Sequence, residues 1–343
     1  MASKDPLAAQ LQKLAYEALR DYFQAHEADV VEIEILPPAI QPPNGILMQD
    51  GLSLGIPKKI LALAYMEARQ QFFENKAATD RASVALQATK VMLLFDPEHL
   101  TAANFRKRRL LTLRDMNGPQ SRANYHQTLQ QELCFVNSIL TSPLHRQSKS
   151  PTLWHHRLFM MRPLVLLELE NASKAQEIAF WRSELAAVCK SGQQHPKNYY
   201  AWQYARKLMT SIKSPGINDD FARFVKDWCC KHPSDISGWS FLLFLVPGLQ
   251  PVSKRQDLIK DVLNYAISLR AEQESLWVFI KMALVQELLD GGSVELLQML
   301  QIYSRDLASS DQTSVVSRRV FNALSWVQTY GGLATGSCSP GWS

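Results

Sequence analysis

The sequence predicts an all-α chain built from repeated helical hairpins, and three observations lead there. First, apolar residues recur at helical spacing: Leu7, Leu11, Leu14, Ala18 and Tyr22; Leu129, Leu133, Val136 and Leu140; Leu258, Val262, Tyr265 and Leu269; Leu296, Leu300, Tyr303 and Leu307. Steps of 3 and 4 set one apolar stripe per helix toward a partner. Second, only Val30 to Leu36 alternates like a strand, and Pro37, Pro38, Pro42 and Pro43 end it at once. One short strand builds no sheet, so residues 37–56, rich in Pro and Gly, are expected to form a long loop. Third, a longer period overlies the helical one.

That longer period shows in four segments: Asp96-Pro-Glu-His-Leu-Thr-Ala-Ala103, Lys149-Ser-Pro-Thr-Leu-Trp154, His195-Pro-Lys-Asn-Tyr-Tyr-Ala-Trp202 and His232-Pro-Ser-Asp-Ile-Ser-Gly-Trp239, with a weaker copy ending at Trp277. A Pro precedes the anchor by six residues at Pro97, Pro196 and Pro233, and Ser148 holds that place before Trp154. The anchors Ala103, Trp154, Trp202, Trp239 and Trp277 are 51, 48, 37 and 38 residues apart. Each interval holds two helices and their turns. The first helix ends at the Pro turn, and the second begins with an aromatic anchor on its inner face. An Arg three residues on, as Arg106 and Arg157 are, shares that face and can hold carbonyls or carboxylates of the neighbouring hairpin. One hairpin cannot bury its stripe alone. The expectation is therefore a right-handed α-α superhelix, a solenoid of about five hairpins.

Composition bounds the function classes. The chain has 343 residues, 46% hydrophobic and 20% charged, with a net charge of +5. That is a globular composition, and the mild basic excess falls short of a nucleic-acid-binding surface. The Arg106 to Arg109 run therefore reads as a solvated or hairpin-bridging stretch. Five scattered cysteines and a start without an apolar leader predict a reducing, cytoplasmic setting. The longest apolar run, Trp239 to Leu249, is about half the ~20 residues of a membrane span. No metal site is expected: His155 and His156 are adjacent, so they point about 100° apart on a helix, and Cys229-Cys230 with His232 lacks zinc-ligand spacing. No Gly-rich phosphate loop, nucleophile elbow or His-Glu-x-x-His is present, so the sequence carries no self-sufficient catalytic constellation.

The repeat segments resemble the protein prenyltransferase α-subunit repeat family, whose pattern reads roughly Asn-Pro-x-x-Tyr-x-Ala-Trp-x-x-Arg-Arg. Pro196 to Trp202 and Trp154-His-His-Arg157 carry the likeness, which runs from about Glu32 to about Trp277 and loosely to residue 330. It implies three segments: an N-terminal helix, short strand and Pro-rich loop over 1–56, a helical repeat domain over 57–330, and a flexible tail over 331–343. It also implies the α subunit of a geranylgeranyltransferase-like heterodimer, moving an isoprenoid from its diphosphate to a protein Cys. The prenyltransferase β-subunit partner would carry the zinc and most of the substrate site, with no cofactor in this chain.

By the repeat pattern, Lys149 and Tyr199 match family positions facing the diphosphate as catalytic groups. Tyr200, where relatives often have His, adds a substrate-binding donor. Taken alone, Lys149 also reads as a solvated residue before a helix start, and Tyr199 as a packing residue. Trp154, Arg157, Trp202, Trp239 and Trp277 are repeat anchors. Ala103 replaces the family Trp, and Ala205 and Leu242 replace the Arg after Trp202 and Trp239. Those departures keep a second expectation alive, a non-catalytic helical-repeat scaffold for protein–protein interaction.

Overall fold

A computed structural model describes residues 6–116, 118–212, 214, 216–289 and 294–331. The chain divides into two compact units, residues 1–204 and 205–343. The first unit opens with α1 (Pro6–Ala25), then β1 (Glu32–Leu36), β2 (Met48–Asp50), β3 (Ser53–Pro57) and α2 (Lys58–Asn75). The hairpins follow: α3 (Ala82–Phe95) with α4 (Leu100–Arg114), then α5 (Pro119–Leu140), a single turn α6 (His145–Ser148) and α7 (Pro151–Leu169). Helix α8 (Lys174–Gln194) pairs with α9 (Tyr199–Met209), which begins in this unit. The second unit holds α10 (Ile217–Lys231) with α11 (Ile236–Leu245), α12 (Val252–Ser268) with α13 (Glu274–Leu289), and α14 (Val294–Ser310) with α15 (Val315–Gly331). The fold is all-α, in α-α hairpins of the solenoid kind.

Three sequence expectations need correction. The 37–56 segment is not a plain loop. It supplies β2 and β3, which with β1 form a three-stranded sheet ordered β1-β3-β2. Strand β1 pairs parallel with β3, Ile33 opposite Leu54, and β2 pairs antiparallel with β3. Leu54 and Ile56 are buried on alternate positions, and Gly51 takes φ +54° in the tight turn between Asp50 and Ser53, where a β-carbon would be strained. The outer edge of β1 is closed from the helical side, where Ser138 and Ser142 hydroxyls accept from the backbone N–H of Val31 and Ile33 at 2.9 and 2.8 Å.

The second correction concerns α1, whose buried face is Tyr16, Leu19, Tyr22 and Phe23, while Leu7 is 75% exposed. The larger aromatic surface takes the interior and rotates the helix away from the Leu stripe. The third is the number of hairpins, because among the described residues α14–α15 adds a sixth to the five expected. Residues 332–343, the expected tail, lie outside the described residues.

The repeat has a local physical basis. In every hairpin the anchor N–H donates to the carbonyl four residues earlier: Ala103 to His99, Trp154 to Ser150, Trp202 to Asn198, Trp239 to Asp235 and Trp277 to Gln273. Four of those five residues also cap the helix with their side chains, accepting from the backbone N–H three residues on. The place six before the anchor has its own function. The indole N–H donates to the carbonyl of Ser148 from Trp154 (2.8 Å), of Pro233 from Trp239 (2.9 Å) and of Ala271 from Trp277 (2.7 Å). A chain that turns at this point leaves that carbonyl without a helical partner, and the anchor indole satisfies it. Where Ala103 offers no indole, the Ser150 hydroxyl of the next repeat donates to the Pro97 carbonyl at 3.3 Å. Trp277→Phe removes one such bond and should cost about 1–2 kcal/mol in chemical denaturation.

The interior also contains a lysine that bonds to a backbone carbonyl. Lys90 on α3 is buried and donates to the Phe23 carbonyl at 3.2 Å. Burial, with the Arg106 charge adding to it, pulls its pKa down to about 8 from 10.5. Between those values the unfolded chain keeps a proton that the folded chain has lost, so this group makes stability rise with pH over that window. Lys90→Met should raise stability at pH 7 by roughly 2 kcal/mol, after the lost carbonyl bond is allowed for. The gain should vanish by pH 10.5, which denaturation midpoints across the range would show.

Candidate functional site

The anchor helices carry two buried polar triads of one design. Arg106 on α4 forks onto Glu132 of α5, its Nε donating to Oε1 at 2.7 Å and its Nη2 to Oε2; His156 of α7 reaches the same Oε1 at 2.8 Å. Arg157 on α7 forks onto Glu184 of α8, and the Tyr204 hydroxyl of α9 donates to Glu184 Oε2 at 2.6 Å while accepting from Arg157. Each triad uses the position three after one anchor, a Glu on the next hairpin's first helix, and the position two after the next anchor. Burial alone would raise the Glu132 carboxyl; the Arg106 guanidinium and His156 outweigh it and hold the group well below the usual carboxylate range. These triads tie one hairpin to the next. They bring no reactive group to the surface.

The residues singled out for chemistry lie instead where the turns before α7 and α9 meet. Asn198 donates to the Ser148 carbonyl at 2.9 Å and to Ser191 Oγ at 3.0 Å, so the residue before Tyr199 is bonded to the residue before Lys149. Lys197 adopts φ +61°, which swings the chain into the Asn198 cap. Lys149 closes α6 and is half-buried, directly ahead of the Ser150 cap and Pro151 at the start of α7. Tyr199 and Tyr200 are 59% and 40% exposed, with ring centroids 5.4 Å apart and edge to face. Beneath them His195 is buried, its ring perpendicular to that of His145 at 5.5 Å. Burial first, then the charges of His145 and Lys149, push the His195 pKa down, so it adds no charge beside Lys149 at neutral pH.

Lys149 and the exposed Tyr199 and Tyr200 therefore sit at two turns joined by a side-chain-to-backbone hydrogen bond. Their ammonium and phenol hydroxyls suit oxygens of an anion. By itself the arrangement excludes no water, so a sequestered site there needs a surface from another chain. Among the described residues, no group of three or more His, Cys, Asp or Glu could hold a metal ion. Sequence reasoning missed the triad acids Glu132 and Glu184 and their partners His156 and Tyr204. A usable signal was His156 and Arg157, two and three after Trp154, together with Tyr204 two after Trp202.

Comparison with known proteins bears on this arrangement. A family model described as the ECM9 middle domain matches residues 153–265, which holds the anchors Trp154, Trp202 and Trp239 and the whole Arg157 triad. The chain is 25% identical over 155 residues to Geranylgeranyl transferase type-2 subunit alpha of Candida albicans, covering 45% of this chain and 38% of that protein. It is 26% identical over 211 residues to Protein ECM9 of Saccharomyces cerevisiae, covering 57% of this chain and 49% of that protein. The human Geranylgeranyl transferase type-2 subunit alpha is 25% identical over 187 residues, 54% of this chain and 29% of that protein. Through its helical repeats the chain is thus similar both to geranylgeranyl transferase α subunits and to Protein ECM9. It spans less than half the length of these relatives.

Against the prenyltransferase α-subunit repeat pattern, this chain keeps the anchor Trp at Trp154, Trp202 and Trp239, all buried, and Trp277 is buried likewise. It departs where the following Arg should stand: Ala205 and Leu242 are buried apolar residues. Arg206, one place late, turns outward and donates to Ser240 Oγ at 2.7 Å.

Proposed function

We propose that this chain acts as the α subunit of a heterodimeric protein prenyltransferase of the geranylgeranyltransferase kind, with Lys149, Tyr199 and Tyr200 facing the diphosphate of the isoprenoid donor. The observation that supports this most is the Asn198–Ser148 bond, which joins the turn before Tyr199 to the turn that carries Lys149. The β-subunit partner would cover these turns and supply the isoprenoid pocket, the acceptor-peptide site and the zinc that activates the acceptor thiol. In the transfer step the acceptor sulfur bonds to C1 of the isoprenoid as the C1–O bond breaks. The electron pair leaves with the diphosphate, whose growing charge is met by the Lys149 ammonium and the tyrosine hydroxyls. Co-expression with a prenyltransferase β subunit should give a stable 1:1 complex that transfers an isoprenoid to a Cys-terminated peptide. A chain that binds no such β subunit at micromolar concentration is no α subunit. No helix among the described residues is long and apolar enough to cross a membrane, and the cytoplasm is the proposed place of action.

A second reading draws on Ala205 and Leu242 and on the similarity to Protein ECM9. In it the chain keeps the repeat fold as a scaffold and has exchanged its partner. Failure to bind any prenyltransferase β subunit would favour this reading, and transfer activity that depends on this chain would eliminate it.

A further inference from the structure

Helices α4 and α7, the second helices of two successive hairpins in the first unit, pack side by side, and each turns one stripe away from the core. On α4 the stripe is Asn104, Lys107, Arg108 and Leu111, places i, i+3, i+4 and i+7. On α7 it is His155, Phe159, Arg162 and Leu166, at steps of 4, 3 and 4. None of these side chains is buried, and Leu166 is 72% exposed. The two stripes meet where Lys107 Nζ stands 4.4 Å over the Phe159 ring. Measured round each helix from that contact, Leu111 lies about 40° and Leu166 about 20° away, against about 60° for Arg162 and about 100° for Arg108. The apolar side chains therefore line the seam, and one guanidinium stands on each margin.

Charge on this face has one sign. Helix α4 carries Arg106, Lys107, Arg108, Arg109 and Arg114 and no acidic residue. Arg106 is neutralised inside by Glu132, and Arg114 lies 2.9 Å from Asp115. The acids of α7 come at its far end, where Glu168 is bonded to His126 and Gln130 of α5, and Glu170 just beyond is bonded to Arg122 of α5. Among the described residues, no carboxylate pairs with Arg108 or Arg162. Like charges this close on one helix repel, so carboxylates brought from outside are favoured. The seam decides what carries them. A nucleic-acid backbone calls for a denser set of cations and would leave Leu166 uncovered. A bilayer surface calls for a broad apolar face, and this strip follows a single seam. From His155 to Leu166 the seam runs about 16 Å, three turns of helix. A helix with leucines on one face and glutamates beside them answers both the seam and its margins.

We propose that the seam between α4 and α7 docks an acidic amphipathic helix of a partner protein, its leucines over Leu111, Phe159 and Leu166 and its carboxylates on Arg108 and Arg162. The proposal concerns the chemistry of a partner and can fail without the prenyltransferase reading, because its test uses no β subunit and no isoprenoid.

The test is calorimetric titration of the full chain with the peptide acetyl-Glu-Leu-Ala-Glu-Leu-Leu-Ala-Glu-Leu-Ala-Glu-amide, at low and at raised ionic strength. The same peptide with Gln for every Glu, an oligouridylate and phosphatidylserine vesicles are titrated in parallel. The Glu peptide should bind at 1:1 and more weakly as salt is raised, and the Gln peptide should bind about tenfold more weakly. Arg108→Glu with Arg162→Glu should abolish binding of the Glu peptide and confer binding of its Lys counterpart, an exchange that lost structure cannot produce. Leu166→Ser should weaken the Glu peptide about three- to tenfold. All three residues are exposed, so melting temperatures should stay with the parent. Should the reversed variant melt lower, Arg108→Gln with Arg162→Gln takes its place and should weaken the Glu peptide about tenfold. Tighter binding of oligouridylate or of vesicles than of the peptide overturns the proposal. So does the absence of binding heat up to the solubility limit, a Gln peptide as tight as the Glu peptide, or parent-like affinity in the arginine variants.

Discussion

Lys149→Ala, assembled with a prenyltransferase β subunit, is expected to slow single-turnover isoprenoid transfer about 10²–10³-fold, roughly 3–4 kcal/mol, while leaving subunit association intact. The charge on the diphosphate grows as the C1–O bond breaks, so a fixed ammonium stabilises the transition state more than the bound substrate. Lys149 is held for this role by local structure: it follows Ser148, whose carbonyl takes both Trp154 Nε1 and Asn198 Nδ2, and precedes the Ser150 cap. Water reaching the subunit boundary could reduce the effect to about tenfold. A Lys149 serving only structure gives a different pattern, with weaker assembly or lower melting temperature and full turnover once assembled. Rates measured at saturating β subunit separate the two, and an unchanged rate removes Lys149 from the chemistry.

Glu184→Ala should cost on the order of 3–5 kcal/mol of folding stability, the usual range when one half of a buried ion pair is deleted. The Arg157 guanidinium would remain buried with only Asn137 Oδ1, 2.9 Å from its Nε, and the Tyr204 hydroxyl to satisfy it. Deleting both charges is the control. Arg157→Met with Glu184→Leu removes the unpaired charge as well as the bond, and should recover most of the loss. Urea denaturation of the single and double variants measures both. If the double variant is as unstable as Glu184→Ala, the triad matters through its shape rather than its charge.

The legible part of this fold is what lies within one turn of an anchor. Places six and four before an anchor can be read directly, because each is set by a bond spanning only a few residues. Glu132 and Glu184 could not be found that way. They lie 26 and 27 residues beyond their Arg partners, on helices with several other polar residues, and only the packed hairpins select them. The sheet was missed for a different reason. Its strands are three to five residues long and sit among prolines, although Asp50-Gly51 followed by Leu54 and Ile56 on alternate positions is a hairpin signal. On α1 the spacing of leucines gave a helix with the wrong inner face, since Tyr16 and Phe23 outweigh Leu7 and Leu14 in buried area. Lys149 and Tyr199 came from family likeness alone, and no physical pattern in the sequence distinguishes them from ordinary surface residues.

The indole-to-carbonyl bond bears on how this chain tolerates change. At Trp154, Trp239 and Trp277 both bonds that place the anchor, one reaching back six residues and one four, close without reference to the length of the helix before them. Each hairpin therefore restarts its own phase. An α5 of 22 residues and an α10 of 15 coexist in one chain, and anchor intervals near 50 give way to intervals near 38. Residues gained or lost between hairpins, as around Asn171 and Ala172, leave every later anchor seated. The same change between Ser148 and Trp154 would break the indole bond and the helix cap together. Length in this protein is free to drift in the links and is fixed at the turns.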